Sequence, residues 1–321
     1  MISVALCTYN GKRFIKEQLK SIISQTTSVD EIIICDDKST DGTVQEIYKF
    51  RESVESSVNI RVFVNSRNYG VTKNFEKAIS LCRGDIIFLA DQDDVWLNNK
   101  VSSMITVFDE DEKCQLVFTD AALVDSDMKD TGRGLWELTH PYLKEKYVVS
   151  DFTGHRFVTG ATVAFRRDLL AQAIPIPDCW IHDAWLAVIA SQNGNIKYID
   201  QKLVFYRQHE KNVVGAKKRS ILKQIQYTSA HIDRSIRFKT TMRERFSSLF
   251  ERIGSSLSDT ERQNLLRCLA FWKESETIFN CPVGRGLSII IKNTFNGNYS
   301  KYNHGVYGGM VDLFILLRQK L

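Results

Sequence analysis

The sequence predicts an α/β fold in which a mostly parallel β-sheet is flanked by helices. Two observations indicate this fold: short apolar runs alternate with amphipathic stretches through the first half of the chain, and each run is continuously apolar. Continuous apolar runs are typical of parallel strands buried on both faces, and their alternation with helices favours βαβ units. The predicted strands are residues 2–7, 31–35, 60–64, 85–90 and 115–120. The predicted helices between them are residues 12–25, 42–51, 72–82 and 97–109.

The pattern changes in the second half of the chain. Residues 121–158 are polar and aromatic, and they predict loops or a flap. The next predicted elements are a strand at 161–165, a helix at 182–192 and a pair of strands within 196–206. Beyond residue 215, apolar residues recur at helical spacing. The sequence therefore predicts an α/β domain over residues 1–215 and a mainly helical extension over residues 216–321.

The composition limits the class of protein. With 43% hydrophobic and 25% charged residues, the 321-residue chain is typical of a soluble globular protein with a sizeable core. It contains no apolar run of about 18 residues and no secretion signal, which predicts a cytoplasmic protein without a membrane span. The seven cysteines are scattered and form no C-x-x-C pair, which argues against both a disulfide framework and a zinc site.

The charge is unevenly distributed along the chain. Residues 211–321 contain 19 Lys and Arg against 8 Asp and Glu, a balance of +11, whereas residues 1–210 contain 24 against 30, a balance of −6. A basic region with interleaved apolar residues suits an anionic membrane surface or another polyanion. The same counts also fit helices whose solvated faces carry lysine and arginine, so charge alone leaves both interpretations open.

Polar residues follow three of the predicted strands. The segments are CTYNG (7–11), CDDKSTDGT (35–43) and DQDDVW (91–96), and the carboxyl ends of parallel strands share one edge of a sheet, where ligands bind. In the first, a hydroxyl and an amide can hold a nucleobase or ribose, although Asn-Gly alone marks a turn. In the second, Asp37 can accept a hydrogen bond from a pyrimidine or a ribose, while Ser39 and Thr40 suit a helix cap.

The third segment contains the acids Asp91, Asp93 and Asp94 after an apolar run. Carboxylates this close repel one another unless a cation or hydrogen-bond donors lie between them. Oxygen ligands suit Mg²⁺ or Mn²⁺, which a substrate diphosphate would also coordinate. The alternative is a solvated turn in which Asp94 caps the following helix, but three acids at the end of a buried strand favour the metal site.

Two later segments add candidate residues. Asp183 lies in the apolar segment IHDAWLA (181–187), where desolvation would raise its pKa toward the range of a general base, although an N-cap role fits equally well. In YRQHEKNVVG (206–215), Arg207, Gln208 and His209 could contact phosphate oxygens or a metal, although a lone histidine is more often structural.

Together these segments resemble family 2 glycosyltransferases, which have the A-type glycosyltransferase fold, a Rossmann-like sheet flanked by helices. The ordered landmarks are VALCTYNG, IIICDDKSTDGT, NYGVTKNF, LADQDDVW, VTGATVAFRRDLL, HDAWLA and YRQHEKNVVG. Their order and spacing make the resemblance specific, and it covers residues 1–215. Within the family the chain is most similar to bacterial rhamnosyltransferase-like enzymes of O-antigen, capsule or cell-wall polysaccharide assembly.

The resemblance implies an inverting transfer of a sugar from a nucleotide-diphospho-sugar to an acceptor hydroxyl. Asp183 corresponds to the base. Asp91, Gln92 and Asp93 correspond to the D-x-D motif that binds Mn²⁺ or Mg²⁺, with Asp93 as the preferred direct ligand, and His209 corresponds to a position near the metal or diphosphate. The donor-binding residues implied are Thr8, Tyr9, Asn10, Asp37, Lys73, Asn74, Asp91 and Gln92.

The resemblance also implies partners and a location. Residues 1–120 would bind the donor and residues 121–215 the acceptor, with dTDP-rhamnose as the first choice of donor and a lipid-linked saccharide as the acceptor. The basic extension would contact the inner face of the cell membrane or form a homo-oligomer contact, and no nucleic acid partner is expected. The transmembrane helices and Q-x-x-R-W motif of processive members are missing, which favours addition of one or a few sugars.

Other classes remain as alternatives. A non-catalytic nucleotide-sugar-binding module would not need Asp183 on the acceptor side. A Mg²⁺-dependent phosphohydrolase or nucleotidyltransferase could use a related α/β core, but a D-x-D-x-T signature is not found after the first strand. An NAD enzyme is disfavoured because no G-x-G-x-x-G follows that strand.

Overall fold

The chain forms two compact units in a computed structural model. The first unit comprises Met1–Tyr147 and Arg156–Val213, and the second comprises Val148–His155 and Val214–Leu321. The residues that the structure describes are 1–141, 143–153, 158–208, 232–303 and 305–318.

The first unit is built around one sheet, to which nine described strands contribute. The strands are β1 (Ile2–Thr8), β2 (Glu31–Asp36), β3 (Asn59–Val64), β4 (Ile86–Asp91), β5 (Val95–Trp96), β6 (Cys114–Val124), β7 (Asp130–Gly134), β8 (Val163–Arg166) and β9 (Asn195–Arg207). Their order is β3-β2-β1-β4-β8-β6-β9-β5, with β7 paired to β6. The pairs among β3, β2, β1 and β4 are parallel, as is β6 with β9, whereas β8 is antiparallel to both of its neighbours. This arrangement confirms the predicted α/β class.

Seven described helices accompany the sheet. They are α1 (Ile15–Ile23), α2 (Thr43–Ser53), α3 (Val71–Leu81), α4 (Lys100–Glu110), α5 (Leu135–Thr139), α6 (Leu170–Ala173) and α7 (His182–Asn193). The first is amphipathic, since Ile15, Leu19 and Ile22 form one buried stripe at helical spacing and belong to the same core cluster as Val4 and Ile34 of the sheet. Hydrophobic burial therefore fixes helices such as α1 against the strands that they follow or precede.

The register of the central strands brings their polar ends together. Thr8 at the end of β1 lies opposite Asp36 of β2, and Cys7 lies opposite Asp91 at the end of β4. Because these three strands are parallel, the loops that leave them emerge at one edge of the sheet. This carboxyl edge carries the first three segments selected from the sequence.

Three local predictions were wrong. Residues 121–124 continue β6, which forms a hairpin with β7, where loops or a flap were expected. The strand pair expected within 196–206 is one long strand, β9, whose pairing with β6 contains register shifts. The chain after Asp94 forms β5, which pairs with β9, so the next helix begins only at Lys100 and Asp94 does not cap it. In each case a long-range strand partner overrides the local pattern.

The described part of the second unit is helical. Its helices are α8 (Ile232–Ile253), α9 (Asp259–Thr277), α10 (Val283–Phe295), α11 (Asn298–Tyr302) and α12 (Val306–Arg318). Ser258 caps α9 by accepting a hydrogen bond from the backbone N–H of Glu261. Trp272 is fully buried, and Phe271 packs against both it and Tyr299. None of the described helices is both long enough and apolar enough to cross a membrane.

Arg207, at the end of β9, joins several segments of the first unit and is 2% exposed. Its guanidinium donates hydrogen bonds to the carbonyl oxygens of Asp93 and Ser126, both at 2.8 Å, and to the carboxylate of Glu17 at 2.6 Å. Its backbone N–H donates to Asp94 Oδ1 at 3.1 Å. The side chain that sequence analysis considered for phosphate contacts therefore fixes the turn after β4.

The Arg207→Lys variant tests this role. Lysine keeps the positive charge, but its donors leave from a single nitrogen and cannot reach the three acceptors that Nε, Nη1 and Nη2 of the planar guanidinium contact, so buried acceptors lose their partners. We expect the free energy of unfolding to fall by about 2–4 kcal/mol, measured by urea and thermal unfolding. The matched control is Arg13→Lys, because Arg13 and its partner Asp127 have side chains that are 65% and 79% exposed. Equal unfolding of both variants and the wild type would contradict the assigned role.

Candidate active site

Hydrogen bonds join the loops that follow β1 and β2. Thr8 Oγ1 donates to Asp36 Oδ2 at 2.7 Å, and the backbone N–H of Asn10 donates to Ser39 Oγ at 2.8 Å. The Asn10 side-chain oxygen accepts from the backbone N–H of Thr40 at 2.9 Å, and Asn10 adopts a left-handed φ of 51°. Thr8 and Asn10, predicted to bind the donor, therefore also hold the shape of this edge.

Gln92 connects the end of β4 to the end of β1. Its side-chain amide pairs with the backbone of Tyr9, accepting from the N–H at 2.8 Å and donating to the carbonyl at 3.0 Å. A Cβ atom on Gly11 would lie 2.0 Å from Gln92 Oε1, so only glycine permits this approach. The Tyr9 ring is half-exposed beside this contact and remains accessible to a ligand.

Asp37 is buried and accepts three hydrogen bonds from the protein. Its Oδ1 accepts from Asn65 Nδ2 and from the backbone N–H of Tyr69, and its Oδ2 accepts from the backbone N–H of Gly70. Asn74 supports the same network, because its Oδ1 accepts from Asn65 Nδ2 at 2.9 Å. A carboxylate oxygen has about two acceptor sites, so Oδ2 retains capacity for a further donor. The predicted nucleotide contact is compatible with this geometry.

Lys73 holds the segment that leads into α7. Its ammonium group donates to the Ile176 carbonyl at 2.7 Å and contacts the carboxylates of Glu76 at 3.0 Å and Asp178 at 3.2 Å. Burial opposes the charged form, but the hydrogen bonds to both carboxylates outweigh it and raise the lysine pKa. These contacts indicate that Lys73 positions the segment before α7, the helix that carries Asp183. This role competes with the predicted contact of Lys73 to the nucleotide-sugar.

Asp91, Asp93 and Asp183 interact although they come from distant parts of the sequence. The pKa of Asp91 is raised to about 7 by removal from solvent and then by repulsion from Asp93 and Asp183, which Lys100 partly opposes. A carboxylate whose neighbours are carboxylates favours a proton or a cation. The structure therefore brings together the D-x-D segment and the predicted base, as a shared site requires.

Lys100 lies fully buried next to this acidic cluster, and sequence analysis missed it. Its ammonium donates to the Ala161 carbonyl at 2.7 Å and lies 3.8 Å from the centroid of the Trp96 ring. Burial lowers its pKa to about 7, against the opposing effect of Asp94 and Asp91. A sequence signal existed, because Lys100 occupies the buried stripe of α4 in line with Met104. A lysine on an apolar stripe indicates a buried partner.

Asp94 is also buried, unlike the solvated turn residue considered from the sequence. Its Oδ1 accepts from the Arg207 backbone, and its Oδ2 has no hydrogen-bond partner among the described residues. Burial and the charges of Asp93 and Asp91 raise its pKa well above the usual value. Asp94 therefore supports the turn after β4 through its hydrogen bond to Arg207 and does not cap α4.

Asp183 lies in the first turn of α7, whose N-cap is Ile181. Its Oδ2 accepts from the backbone N–H of Gly160 at 2.9 Å, and its Oδ1 accepts from the N–H of Ala184 at 2.7 Å. The N-cap interpretation was therefore wrong. The two N–H groups orient the carboxylate, and Gly160 also allows the neighbouring His182 to approach, since a Cβ there would lie 2.9 Å from His182 Nε2.

His182 was part of a recognised segment but was not selected as a site residue. It is 5% exposed and stacks on Phe75, with ring centroids 4.0 Å apart and planes inclined by 15°. Neither ring nitrogen has a hydrogen-bond partner among the described residues. Burial lowers its pKa, against the opposing charge of Asp183, which favours the neutral imidazole. A neutral buried imidazole with unpaired nitrogens next to Asp183 is suited to contact a ligand.

The acidic cluster fits a divalent cation. No set of three or more His, Cys, Asp or Glu side chains within the described ranges has the arrangement of a complete metal site. Mg²⁺, however, is commonly bound by one or two carboxylates together with substrate phosphates. Asp91 and Asp93 provide oxygen ligands whose mutual repulsion a cation would relieve. The predicted ligand His209 lies outside the described residues.

Comparison with known proteins identifies the family of this chain. Residues 3–173 match the family Glycosyl transferase family 2. The dTDP-rhamnosyl transferase RfbG of Shigella flexneri is 30% identical over 84% of this chain and 93% of its own. The UDP-Glc:alpha-D-GlcNAc-diphosphoundecaprenol beta-1,3-glucosyltransferase WfaP of Escherichia coli is 36% identical over 35% of this chain and 43% of its own.

Solved structures support the fold. The crystal structure of S. aureus TarS 1-349 aligns with a TM-score of 0.61 and 16% identity, covering 100% of this chain and 92% of that one. The mannosyltransferase PcManGT from Pyrobaculum calidifontis, in complex with GDP-Man and Mn²⁺, aligns with a TM-score of 0.57 and 15% identity, covering 100% and 88%. At these identities the likeness shows the A-type fold alone. The family match and the relative that spans most of the chain show more: this protein belongs to the family 2 glycosyltransferases and is an enzyme that transfers sugars.

Proposed function

We propose that this enzyme is an inverting, metal-dependent glycosyltransferase that moves rhamnose from dTDP-rhamnose to a lipid-linked saccharide during bacterial surface polysaccharide synthesis. The observation that supports the proposal is the electrostatic repulsion between Asp183, the candidate base, and Asp91, a candidate metal ligand. Inversion by a single displacement requires one base and no covalent intermediate. One carboxylate as a base and a separate pair of carboxylates for a metal ion are the groups that such a reaction would use.

Asp183 would act on the acceptor. Its carboxylate takes the proton of the acceptor hydroxyl as the hydroxyl oxygen forms a bond to the anomeric carbon. The bond between that carbon and the diphosphate oxygen breaks on the opposite face, and its electron pair leaves with the nucleotide diphosphate. The N–H groups of Gly160 and Ala184 hold the carboxylate in place, which favours a productive orientation.

Asp91 and Asp93 would hold the metal ion, with His209 as a further candidate. When bound, Mn²⁺ or Mg²⁺ offsets the negative charge that develops on the departing diphosphate. One structural neighbour, PcManGT, was solved with Mn²⁺, which makes this ion the first choice. Lys100, buried near Asp91 and Asp94, would offset part of the negative charge beside the metal ligands.

The donor would lie along the carboxyl edge of the sheet. Asp37 Oδ2, with acceptor capacity left, suits a nucleobase or ribose donor group, and the exposed Tyr9 ring suits stacking on a base. Rhamnose and its dTDP carrier are proposed because RfbG, a dTDP-rhamnosyl transferase, resembles this chain over most of its length. Thr8, Asn10 and the remaining predicted donor residues would act chiefly by fixing the shape of this edge.

The acceptor would be a saccharide carried on a lipid diphosphate. WfaP, which matches about a third of the chain, acts on a diphosphoundecaprenol substrate according to its name. Such an acceptor would bring the enzyme to the inner face of the cell membrane, from the cytoplasm. In this proposal residues 1–215 form the catalytic domain, with the donor bound by residues 1–120, and residues 216–321 form the extension for membrane or oligomer contact.

The Asp183→Asn variant tests the base. The asparagine oxygen can still accept from one of the two N–H groups of Gly160 and Ala184, but the amide cannot take the acceptor proton, and thermal unfolding checks that the variant is folded. Because a general base contributes about 10²- to 10⁴-fold, we expect kcat to fall by at least about 100-fold while donor binding persists. Transfer rates and donor-induced thermal shifts measure the two effects. Asp200→Asn, at an exposed position of β9, is the matched control. Normal transfer by Asp183→Asn would refute the assignment.

The His182→Phe variant tests the neighbouring imidazole. Phenylalanine keeps the stacking on Phe75 and removes two buried nitrogens that lack partners, so thermal stability should be retained or increased. If the imidazole hydrogen-bonds a substrate hydroxyl, kcat/KM should fall by about tenfold or more, since a lost hydrogen bond contributes about 1–3 kcal/mol. A stable variant with unchanged kcat/KM would show that His182 serves packing alone.

A thermal-shift series tests the donor and the metal together. A ligand that binds only the folded state raises the melting temperature, and dTDP-rhamnose with Mn²⁺ should give a larger shift than UDP-glucose or GDP-mannose with Mn²⁺. EDTA or Asp93→Asn should remove most of that shift, whereas Asp200→Asn should not. Equal shifts by all three donors would contradict the choice of dTDP-rhamnose. A shift that is unaffected by EDTA would contradict metal dependence.

A further inference from the structure

The second unit carries a set of exposed apolar side chains. Ile291 and Phe295 lie on α10, and Met310, Leu313, Phe314 and Leu317 lie on α12. The last four recur at positions i, i+3, i+4 and i+7, so they occupy one side of the helix, here named the outer apolar face of α12. Phe295 is 87% exposed. Contiguous exposed apolar surface of this kind marks a site of interaction.

The opposite side of α12 is fixed in the interior. Asp312 is 1% exposed, pairs with Lys239 Nζ at 2.7 Å and accepts from the Tyr299 hydroxyl at 2.7 Å. Ile315 and Leu316 beside it are fully buried. Turning α12 to hide its outer apolar face would break this buried ion pair, which is strongly unfavourable. The outer face is therefore held outward by the fold.

The two helices with exposed apolar residues are neighbours. Leu316 packs at Gly286, where a Cβ would lie 2.7 Å from its methyl carbon, and a Cβ on Gly309 would lie 3.5 Å from Thr294 Oγ1. These contacts join the end of α12 to the start of α10 and the start of α12 to the end of α10. The helices therefore run side by side and antiparallel, so their exposed apolar residues lie on adjacent helices.

The exposed charged side chains within residues 283–318 have one sign. Residues 283–318 contain four basic residues and a single acid, Asp312, which is buried and paired. The basic residues, all exposed, are Arg285, Lys292, Lys301 and Arg318. Of these, Lys292 pairs with Glu274 of α9 at 2.6 Å. Exposed apolar residues with basic neighbours and no exposed acid in the same stretch complement an anionic lipid surface.

We propose that the outer apolar face of α12, with Ile291 and Phe295 of α10, docks on the surface of an anionic lipid bilayer. A helix of 13 residues is only about 20 Å long, shorter than the roughly 30 Å hydrocarbon layer, so α12 lies in the interface rather than crossing it. A second copy is a less suitable occupant because it would bring basic side chains against basic side chains. The inference extends the proposed function, which draws its acceptor from a membrane, but it concerns a separate surface.

The test is co-sedimentation of the full chain with vesicles. Vesicles of phosphatidylcholine and phosphatidylglycerol in equal parts should bind the wild type, and vesicles of phosphatidylcholine alone should bind it less. The Phe314→Ser, Leu317→Ser double variant should bind at least about tenfold more weakly, because two apolar side chains no longer enter the interface. Phe314 and Leu317 are 37% and 45% exposed, so the substitutions also remove some packing, and binding is compared at a temperature at which thermal unfolding shows the variant to be folded. Val64→Ser, at a half-exposed apolar position of β3, is the control and should bind as the wild type does.

A charge variant tests the second part of the proposal. Arg285→Gln with Lys301→Gln should reduce the preference for phosphatidylglycerol while leaving weak binding to phosphatidylcholine. The proposal is overturned if the wild type binds neither vesicle, if the serine variant binds as well as the wild type, or if both vesicles bind equally. It is also overturned if sedimentation of the wild type without lipid shows a dimer that the serine variant abolishes. Nucleotide-sugar thermal shifts on the same variants report the proposed function separately.

Discussion

The first unit depends on one electrostatic constraint, the burial of negative charge at the carboxyl edge of its sheet. Asp36, Asp37 and Asp94 are each at most 3% exposed there, and a buried carboxylate is unfavourable unless donors or cations surround it. The loop after β3 and the end of β9 provide donors for Asp37 and Asp94, and Thr8 of β1 and Ser39 after β2 provide donors for Asp36. The backbone N–H groups of Tyr69 and Gly70 serve Asp37, and Arg207 serves Asp94. The need to provide hydrogen-bond donors for buried carboxylates therefore largely determines the conformation of the carboxyl edge.

Much of the fold could be predicted because its determinants are local. Continuous apolar runs identified the central strands, and the stripe of α1 identified a helix, since hydrophobic period reflects burial directly. The elements that were mispredicted have partners far along the chain. The segment after Asp94 becomes a strand because Val95 and Trp96 pair with Phe205 and Val204, more than 100 residues away. No local pattern records such a partner.

The distinction between local determinants and distant partners also applies to the residues of the candidate active site. Asp91 and Asp183 could be selected from their residue types and surroundings, and the structure brings them into electrostatic contact. Asn65, which bonds both Asp37 and Asn74, carried no signal because an asparagine after a strand usually marks a turn. Lys100 and His182 carried weak signals, a charge on an apolar stripe and a polar residue at the start of an apolar helix. Their importance follows from what surrounds them in three dimensions.

The buried carboxylates are paired to different extents in the two units, and this difference bears on the proposed mechanism. In the second unit, Asp312 is matched within the fold by Lys239 and Tyr299. In the first unit, Asp91 has two carboxylates as neighbours, and the nearby Lys100 is itself poorly solvated, since burial lowers its pKa to about 7. The negative charge around Asp91 is therefore incompletely neutralised where the substrate would bind. A cation that relieves this repulsion and a diphosphate that adds negative charge would each favour binding of the other, and such coupling is reciprocal. The acidic edge is then best understood as a site that is completed by the ligands it receives.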